Sequence, residues 1–98
     1  MLIRIVKMTF RPDGVSDFTQ LFESRKHLIR NYAGCNHLEL WQDQSDSRVF
    51  FTYSIWDRPE SLEQYRTSHF FNETWQQTKK LFQAKPEAWS VNQLAVIQ

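Results

Sequence analysis

The chain of 98 residues contains one cysteine, two glycines and three prolines. A single cysteine, Cys35, excludes an internal disulfide and any cysteine pair that could hold a metal. We expect it to be a small buried hydrophobe and not a nucleophile, because no nucleophile motif surrounds it. The two glycines, Gly14 and Gly34, stand far apart, so the glycine-rich loops that cradle nucleotide phosphates are excluded.

The sequence also lacks an excess of charge of one sign and a long hydrophobic run. Twelve Lys and Arg face eleven Asp and Glu, for a formal net charge of +1. This balance argues against nucleic acid as the main partner. No stretch approaches the ~20 apolar residues of a membrane span, and Arg4 and Lys7 interrupt the N-terminus, unlike a signal peptide. We expect a cytoplasmic protein with no membrane partner.

The chain is rich in hydrophobic residues, which make up 41% of it, and 15% of all residues are aromatic. A length of 98 residues fits one domain, 1–98, and four Trp and eight Phe can fill its core. Hydrophobic periodicity predicts six elements. Strands are expected over residues 2–10, 36–42, 48–56 and 88–97, and helices over 15–32 and 57–80.

Local signals mark where the helices begin and end. Gly34 is expected to stop the first helix in a left-handed conformation. Asp57 and Glu60 have the spacing of a capping box, with Pro59 in the first turn of the second helix. That helix is expected to run to about Lys80, with a break near Ser68.

The order strand, helix, strand, strand, helix, strand predicts an α+β fold of the ferredoxin-like, split βαββαβ type, with a four-stranded antiparallel sheet. Helices cover one sheet face in such a fold, yet strands three and four have large apolar side chains on both faces. A contiguous apolar patch of several hundred Å² is rarely left exposed on a monomer. We therefore expect a homodimer in which two sheets face each other as an α/β barrel.

Four segments of the chain are similar to those of a known family, and the similarity extends over nearly the whole chain. They are GCNHLELW, the strand end YSIW, the helical SLEQYRTSHF and KPEAWSV. With these segments the chain resembles the antibiotic biosynthesis monooxygenase (ABM) family of dimeric α/β barrels. The resemblance implies a pocket between sheet and helices, where some members oxidise aromatic phenols with O₂ and without metal or flavin. Other members degrade heme.

The functional residues of the heme-degrading members do not carry over. Their first-strand Asn corresponds to Val6, their helical Trp to Tyr65 and their heme-ligating His to Trp75. Since Trp75 cannot ligate iron, the resemblance argues against heme degradation, although His69 lies two turns earlier and could reach the pocket. We expect no cofactor.

Tyr65 and His69 are the candidate catalytic residues, because their four-residue spacing puts both on one helix face. Such a pair could orient and deprotonate a phenol, since histidine titrates near neutral pH. The alternative is that His69 only braces the helix break.

Six further residues are candidates for substrate binding, with a purely structural role as the alternative for each. They are Val6 and Met8 on strand one, His37 on strand two, Tyr53 and Trp56 on strand three, and Trp75 on the last helix. His37 and Glu39 share a strand face but have no third ligand, so we expect no metal site.

Two functions remain open. The first is a cofactor-independent monooxygenase acting on a small aromatic or quinol-type molecule. The second is a non-catalytic dimeric module that binds a small hydrophobic ligand, which a pocket below ~300 Å³ would favour.

Overall fold

A computed structural model describes residues 1–98, which form four strands, three α-helices and a short 3-10 helix (Pro12–Gly14). The strands are β1 (Leu2–Thr9), β2 (Cys35–Gln42), β3 (Val49–Trp56) and β4 (Glu87–Val91), and the helices are α1 (Val15–Arg30), α2 (Pro59–Arg66) and α3 (His69–Lys79). All neighbouring strands are antiparallel, and their order in the sheet is β2-β3-β1-β4. The predicted ferredoxin-like fold is confirmed.

One face of the sheet packs against the helices, and two clusters of buried side chains fill the space between them. The first cluster comprises Ile29, Cys35, Trp56, Leu62 and Tyr65. The second comprises Met8, Phe10, Phe18 and Phe50. Alternate residues of β1 and β3 enter these clusters because successive side chains of a strand point to opposite faces.

The other face, here called the open face, has no helix against it. The strand registers place its residues in three rows across the sheet. The rows are His37, Ile55, Ile3 and Val91; Glu39, Tyr53, Ile5 and Trp89; and Trp41, Phe51, Lys7 and Glu87. Apolar side chains hold eight of these twelve positions, and Trp41, Trp89 and Val91 are among the exposed large hydrophobic residues of the chain. The apolar second face predicted from the sequence is present.

Gly34 sits where α1 turns back toward the sheet, and its φ of +88° is the left-handed conformation expected there. A Cβ at this position would clash with Cβ of Ser61, so only glycine lets the start of α2 come this close. The helix itself ends earlier than predicted, at Arg30, with Asn31 as its C-cap. The residues between Asn31 and Gly34 form the turn.

The start of α2 differs from the expected capping box. The N-cap residue is Arg58, and no side chain caps the helix. Asp57 belongs instead to the preceding turn, where its backbone N–H donates to the carbonyl of Gly34 at 2.9 Å. Pro59 is at the first helical position, where its missing N–H costs no hydrogen bond.

The last strand is shorter than predicted, because only Glu87–Val91 pair with β1. Val91 pairs with Ile3, and β1 begins at Leu2, so a longer antiparallel strand would soon pass the end of its partner. Residues 92–98 have no regular structure, and their Leu94 and Ile97 are exposed. Of the three helices, none has the length and apolar character needed to cross a bilayer.

Candidate functional site

A cavity of about 270 Å³ lies between the sheet and the helices. Both buried clusters contribute to its wall, through Met8 and Phe18 on one side and Trp56, Leu62 and Tyr65 on the other. Large aromatic rings form much of the lining, because α3 adds Phe71 and Trp75. Such an apolar, concave site is typical of a pocket for a small molecule.

Tyr65 is the central aromatic residue of this wall. Its ring stacks on Trp56 with centroids 5.1 Å apart and planes at 29°, and the edges of Tyr32 and Phe71 meet it at the same centroid distance. Trp56 is fixed in turn, since its indole N–H donates to the Ser54 hydroxyl at 3.0 Å. The site therefore has a rigid aromatic wall.

The electrostatics of Tyr65 follow from its burial. Burial raises the pKa of its phenol well above the ordinary value of 10.0, with smaller contributions from Cys35 and Tyr32. At neutral pH the group stays protonated, so it can donate a hydrogen bond but cannot act as a base. Its hydroxyl makes no hydrogen bond within the chain.

Five of the eight predicted site residues meet in this cavity. Val6, Met8, Trp56, Tyr65 and Trp75 all line it. They come from four different elements, and the strand alternation and the helical periodicity bring them to one place. Whether they bind substrate stays a prediction.

His69 does not join them. The expected face shared with Tyr65 requires a continuous helix, but α2 ends at Arg66 and α3 begins at His69. The His69 side chain is 95% exposed, and its Nε2 lies 3.9 Å from a carboxylate oxygen of Glu73. In this structure the predicted Tyr65–His69 pair does not form.

His37 and Tyr53 lie on the open face, away from the cavity, where their rings meet edge to face. Glu39 accepts a hydrogen bond from Trp41 Nε1 at 2.7 Å and contacts His37 Nε2 through its other oxygen. The hydrogen bonds from His37 and Trp41 lower the pKa of Glu39. No three His, Cys, Asp or Glu side chains come together as a metal-binding group.

The polar residues of the lining were missed in the sequence, among them three arginines and Thr74. Arg4, Arg25 and Arg66 reach the cavity from β1, α1 and α2, and Thr74 from α3. Strand alternation offered a signal for Arg4, which shares its face with Val6 and Met8. Helical periodicity offered another for Arg25, which lies four residues from both Leu21 and Ile29 on the apolar stripe of α1.

Cys35 is buried beside this site, as expected. Its thiol contacts the His37 carbonyl oxygen at 3.5 Å. Burial raises the pKa of the Cys35 thiol, which opposes formation of the reactive thiolate. We assign it no chemical role.

The ferredoxin-like sheet, with its helices on one face and an aromatic cavity beneath them, defines an α+β fold. The sequence profile of the family described as "Antibiotic biosynthesis monooxygenase" matches residues 1–80. The chain therefore belongs to the antibiotic biosynthesis monooxygenase family.

Solved structures share the fold at low sequence identity. A protein of Pseudomonas aeruginosa is 23% identical, with a TM-score of 0.84, and the match covers 96% of this chain and 94% of that one. A conserved protein of Methanosarcina mazei Go1 is 22% identical, with a TM-score of 0.86 over 93% and 91% of the two chains. A protein of Mycobacterium tuberculosis is 16% identical, with a TM-score of 0.88, and the match covers 99% of this chain and 98% of that one. No curated protein matches the sequence.

Proposed function

We propose that this protein is a monooxygenase that oxidises a small aromatic or quinol-type molecule with O₂ inside the cavity, without a cofactor. The observation that carries the proposal is the aromatic lining formed by Trp56, Tyr65, Phe71 and Trp75 in a member of this family. Flat rings of this kind bind a flat aromatic ligand by stacking and edge contacts.

The reaction balances without an external reductant. A phenol with a free ring position reacts with O₂ to give a quinone and water, and the substrate supplies all four electrons. One oxygen atom becomes the new ring carbonyl, and the other leaves as water with the phenolic and the ring hydrogen. The protein then has to hold the ring, keep water out and favour the ionised substrate.

Tyr65 is the one residue that we propose as catalytic. Its protonated phenol is free to donate a hydrogen bond to an oxygen of the substrate, because it makes none within the chain. A donor aimed at an oxygen that gains negative charge stabilises the transition state. Val6 and Met8 would form the floor beneath the ring.

A second candidate function is a binding module without catalysis. The cavity volume of about 270 Å³ is just below the ~300 Å³ at the lower end for ligand sites. In addition, no His, Asp or Glu lines the cavity to serve as a general base. Both observations favour binding alone.

Oxygen uptake with a panel of phenols and naphthols, with anaerobic incubations alongside, separates the two candidates. We expect O₂-dependent quinone formation, and about a hundredfold loss of kcat in Tyr65→Phe, as for loss of one oxyanion donor. His69→Gln is the matched control, since this side chain lies outside the cavity, and it should keep its activity. Product formation without O₂, or no turnover of any phenol, contradicts the oxygenase.

We also propose that the protein is a homodimer in which two open faces pack together. The support is the apolar composition of the three rows and the absence of any helix over them. Burial of apolar surface is worth roughly 25 cal/mol per Å², and two identical faces can bury each other about a twofold axis.

A further inference from the structure

The charged side chains that line the cavity all have the same sign. They are Arg4, Arg25 and Arg66, and no Asp or Glu is among the lining residues. Composition does not account for this, because the chain has twelve basic and eleven acidic residues. Three guanidinium groups around a mostly apolar cavity create a positive potential. Solvent screens it less at Arg4 and Arg25, which are partly buried, than at Arg66, whose side chain is 47% exposed.

Two polar atoms of the lining are buried without a partner. They are Nε of Arg25 and Oγ1 of Thr74, and among the side-chain nitrogen and oxygen atoms that have no accessible surface these two alone lack a hydrogen bond. Such a group loses its hydration and gains nothing in return, so a native structure needs a reason for it. Both residues line the same cavity, on α1 and α3.

Other polar groups next to these two atoms do have hydrogen-bond partners. Thr78, one turn further along α3, donates its hydroxyl to the Thr74 carbonyl oxygen at 2.8 Å. The Thr74 hydroxyl makes no such bond to its own helix. Arg25 uses Nη2 for Glu73, at 3.3 Å, and this contact leaves Nε free.

The other two arginines add to the positive field. Arg4 donates through Nη1 to the Ser90 hydroxyl at 3.0 Å, a neutral partner that leaves its charge uncompensated. Arg66 has only the distant carboxylate of Glu63, at 3.9 Å. Burial lowers the pKa of Arg4, and the positive charge of the nearby Arg66 lowers it further. A bound anion would relieve that repulsion.

We propose that the cavity binds its aromatic ligand as an anion, with a carboxylate or phenolate oxygen placed among Arg4, Arg25 and Arg66. Arg25 Nε and Thr74 Oγ1 are shielded in the free protein, and in the complex their side chains rotate to donate hydrogen bonds to this oxygen. This inference deepens the proposed function and rests on it for the aromatic part of the ligand. It also gives a cavity without a base a way to use a phenol, since direct contact with the arginines would favour the ionised form of the ligand, whereas burial raises the pKa of the Tyr65 phenol.

Calorimetry with 2-naphthoate and 2-naphthamide tests the charge requirement, because the two molecules have the same rings and nearly the same size. A charge-assisted hydrogen bond from a buried donor corresponds to about a ten- to hundredfold tighter Kd for 2-naphthoate. Equal affinities, or no binding of 2-naphthoate, would overturn the proposal. Titration of 1-naphthol by absorbance covers the phenolate, whose pKa should fall when excess protein is present.

Variants locate the site. Arg25→Gln should lose most of the preference for 2-naphthoate and keep the affinity for 2-naphthamide. Lys26→Gln is the matched control, because Lys26 is the next residue of α1, pairs with Glu23 and does not line the cavity. If Lys26→Gln and Arg25→Gln lose the preference equally, the charge acts from the surface and the proposed site is wrong.

Thr74→Val gives a readout that does not depend on Arg25. Removal of an unpartnered hydroxyl should raise the Tm of the free protein by a few degrees, roughly, while 2-naphthoate binds less tightly. A lower Tm with unchanged binding would contradict the assignment of this hydroxyl.

These measurements do not involve O₂, so the two proposals can fail separately. A clear preference for 2-naphthoate without oxygen uptake would retain the anion site and remove the oxygenase. Quinone formation together with equal binding of 2-naphthoate and 2-naphthamide would support the oxygenase and exclude the anion site.

Discussion

Tyr65 has aromatic rings on three sides and a phenol that stays protonated. Trp56 stacks on its face, while Tyr32 and Phe71 meet it at angles of 65° and 71°. This surrounding fixes the ring without using the hydroxyl. Packing and hydrogen-bond donation are therefore separate properties of this residue, and substitution can remove one and keep the other.

The raised pKa of Tyr65 predicts how stability depends on alkaline pH. A phenol whose pKa is higher in the folded state contributes stability that is complete below pH 10, the ordinary value, and that is lost as the pH rises further. We expect Tyr65→Phe to unfold at the wild-type urea midpoint at pH 7 and to lose less stability above pH 10. Equal losses in the two proteins would mean that the Tyr65 phenol ionises freely when folded.

At the scale of residues, periodicity predicted which side chains share a face of the sheet, but it did not predict which face packs against the helices. The alternation along β3 already puts Tyr53 and Trp56 on opposite faces. Both faces are apolar, however, so composition could not decide which one meets the helices. Trp56 lines the cavity and Tyr53 lies on the open face. Arg25 Nε and Thr74 Oγ1 lack a hydrogen-bond partner because of how α1 and α3 pack together, and no local sequence pattern predicts this.

At the scale of elements, Ser68 joins α2 to α3. Its hydroxyl donates to the Tyr65 carbonyl oxygen at 2.6 Å and accepts from the Phe71 N–H at 3.1 Å. One side chain thus serves the last turn of one helix and the first turn of the next. This break separates His69 from the face of Tyr65.

Loss of that cap should weaken the fold measurably. We expect Ser68→Ala to lower the free energy of unfolding by about 1 kcal/mol, as for other N-cap serines. Thr67→Ala is the control, because its exposed hydroxyl only bonds back to the carbonyls of α2, and it should cost less than about 0.5 kcal/mol. Urea unfolding measures both, and equal losses would show that Ser68 is not a special position.

The elements themselves were largely predictable, and their ends were not. All six predicted segments contain the expected structure, and the break near Ser68 was anticipated. The spacing of Asp57 and Glu60 suggested a cap that the structure places at Arg58, since the turn of Gly34 engages Asp57. Residues 92–98 alternate like a strand but have no partner in their own chain, which sequence periodicity cannot detect.

At the scale of the whole molecule, the open face predicts association. Trp89 is at the end of one row and is 43% exposed, while Leu28 on α1 is 57% exposed on the helical side. We expect Trp89→Glu to shift the protein toward the monomer and Leu28→Glu to leave a dimer, because only the first puts a charge in the proposed interface. Sedimentation equilibrium at micromolar concentration distinguishes these outcomes. A wild-type particle of 11.9 kDa would rule out the dimer.

The five residues of β4 belong to both surfaces of the sheet at once. Ala88 lines the cavity and Ser90 holds Arg4, while Trp89 and Val91 point to the open face. Neighbouring residues of a strand share one backbone, so a ligand that moves Ser90 also moves Trp89. In the proposed dimer, a ligand that moves this strand would couple binding to self-association. Such coupling is reciprocal, so ligand binding would change the dimerisation constant by the same factor as dimerisation changes the ligand affinity.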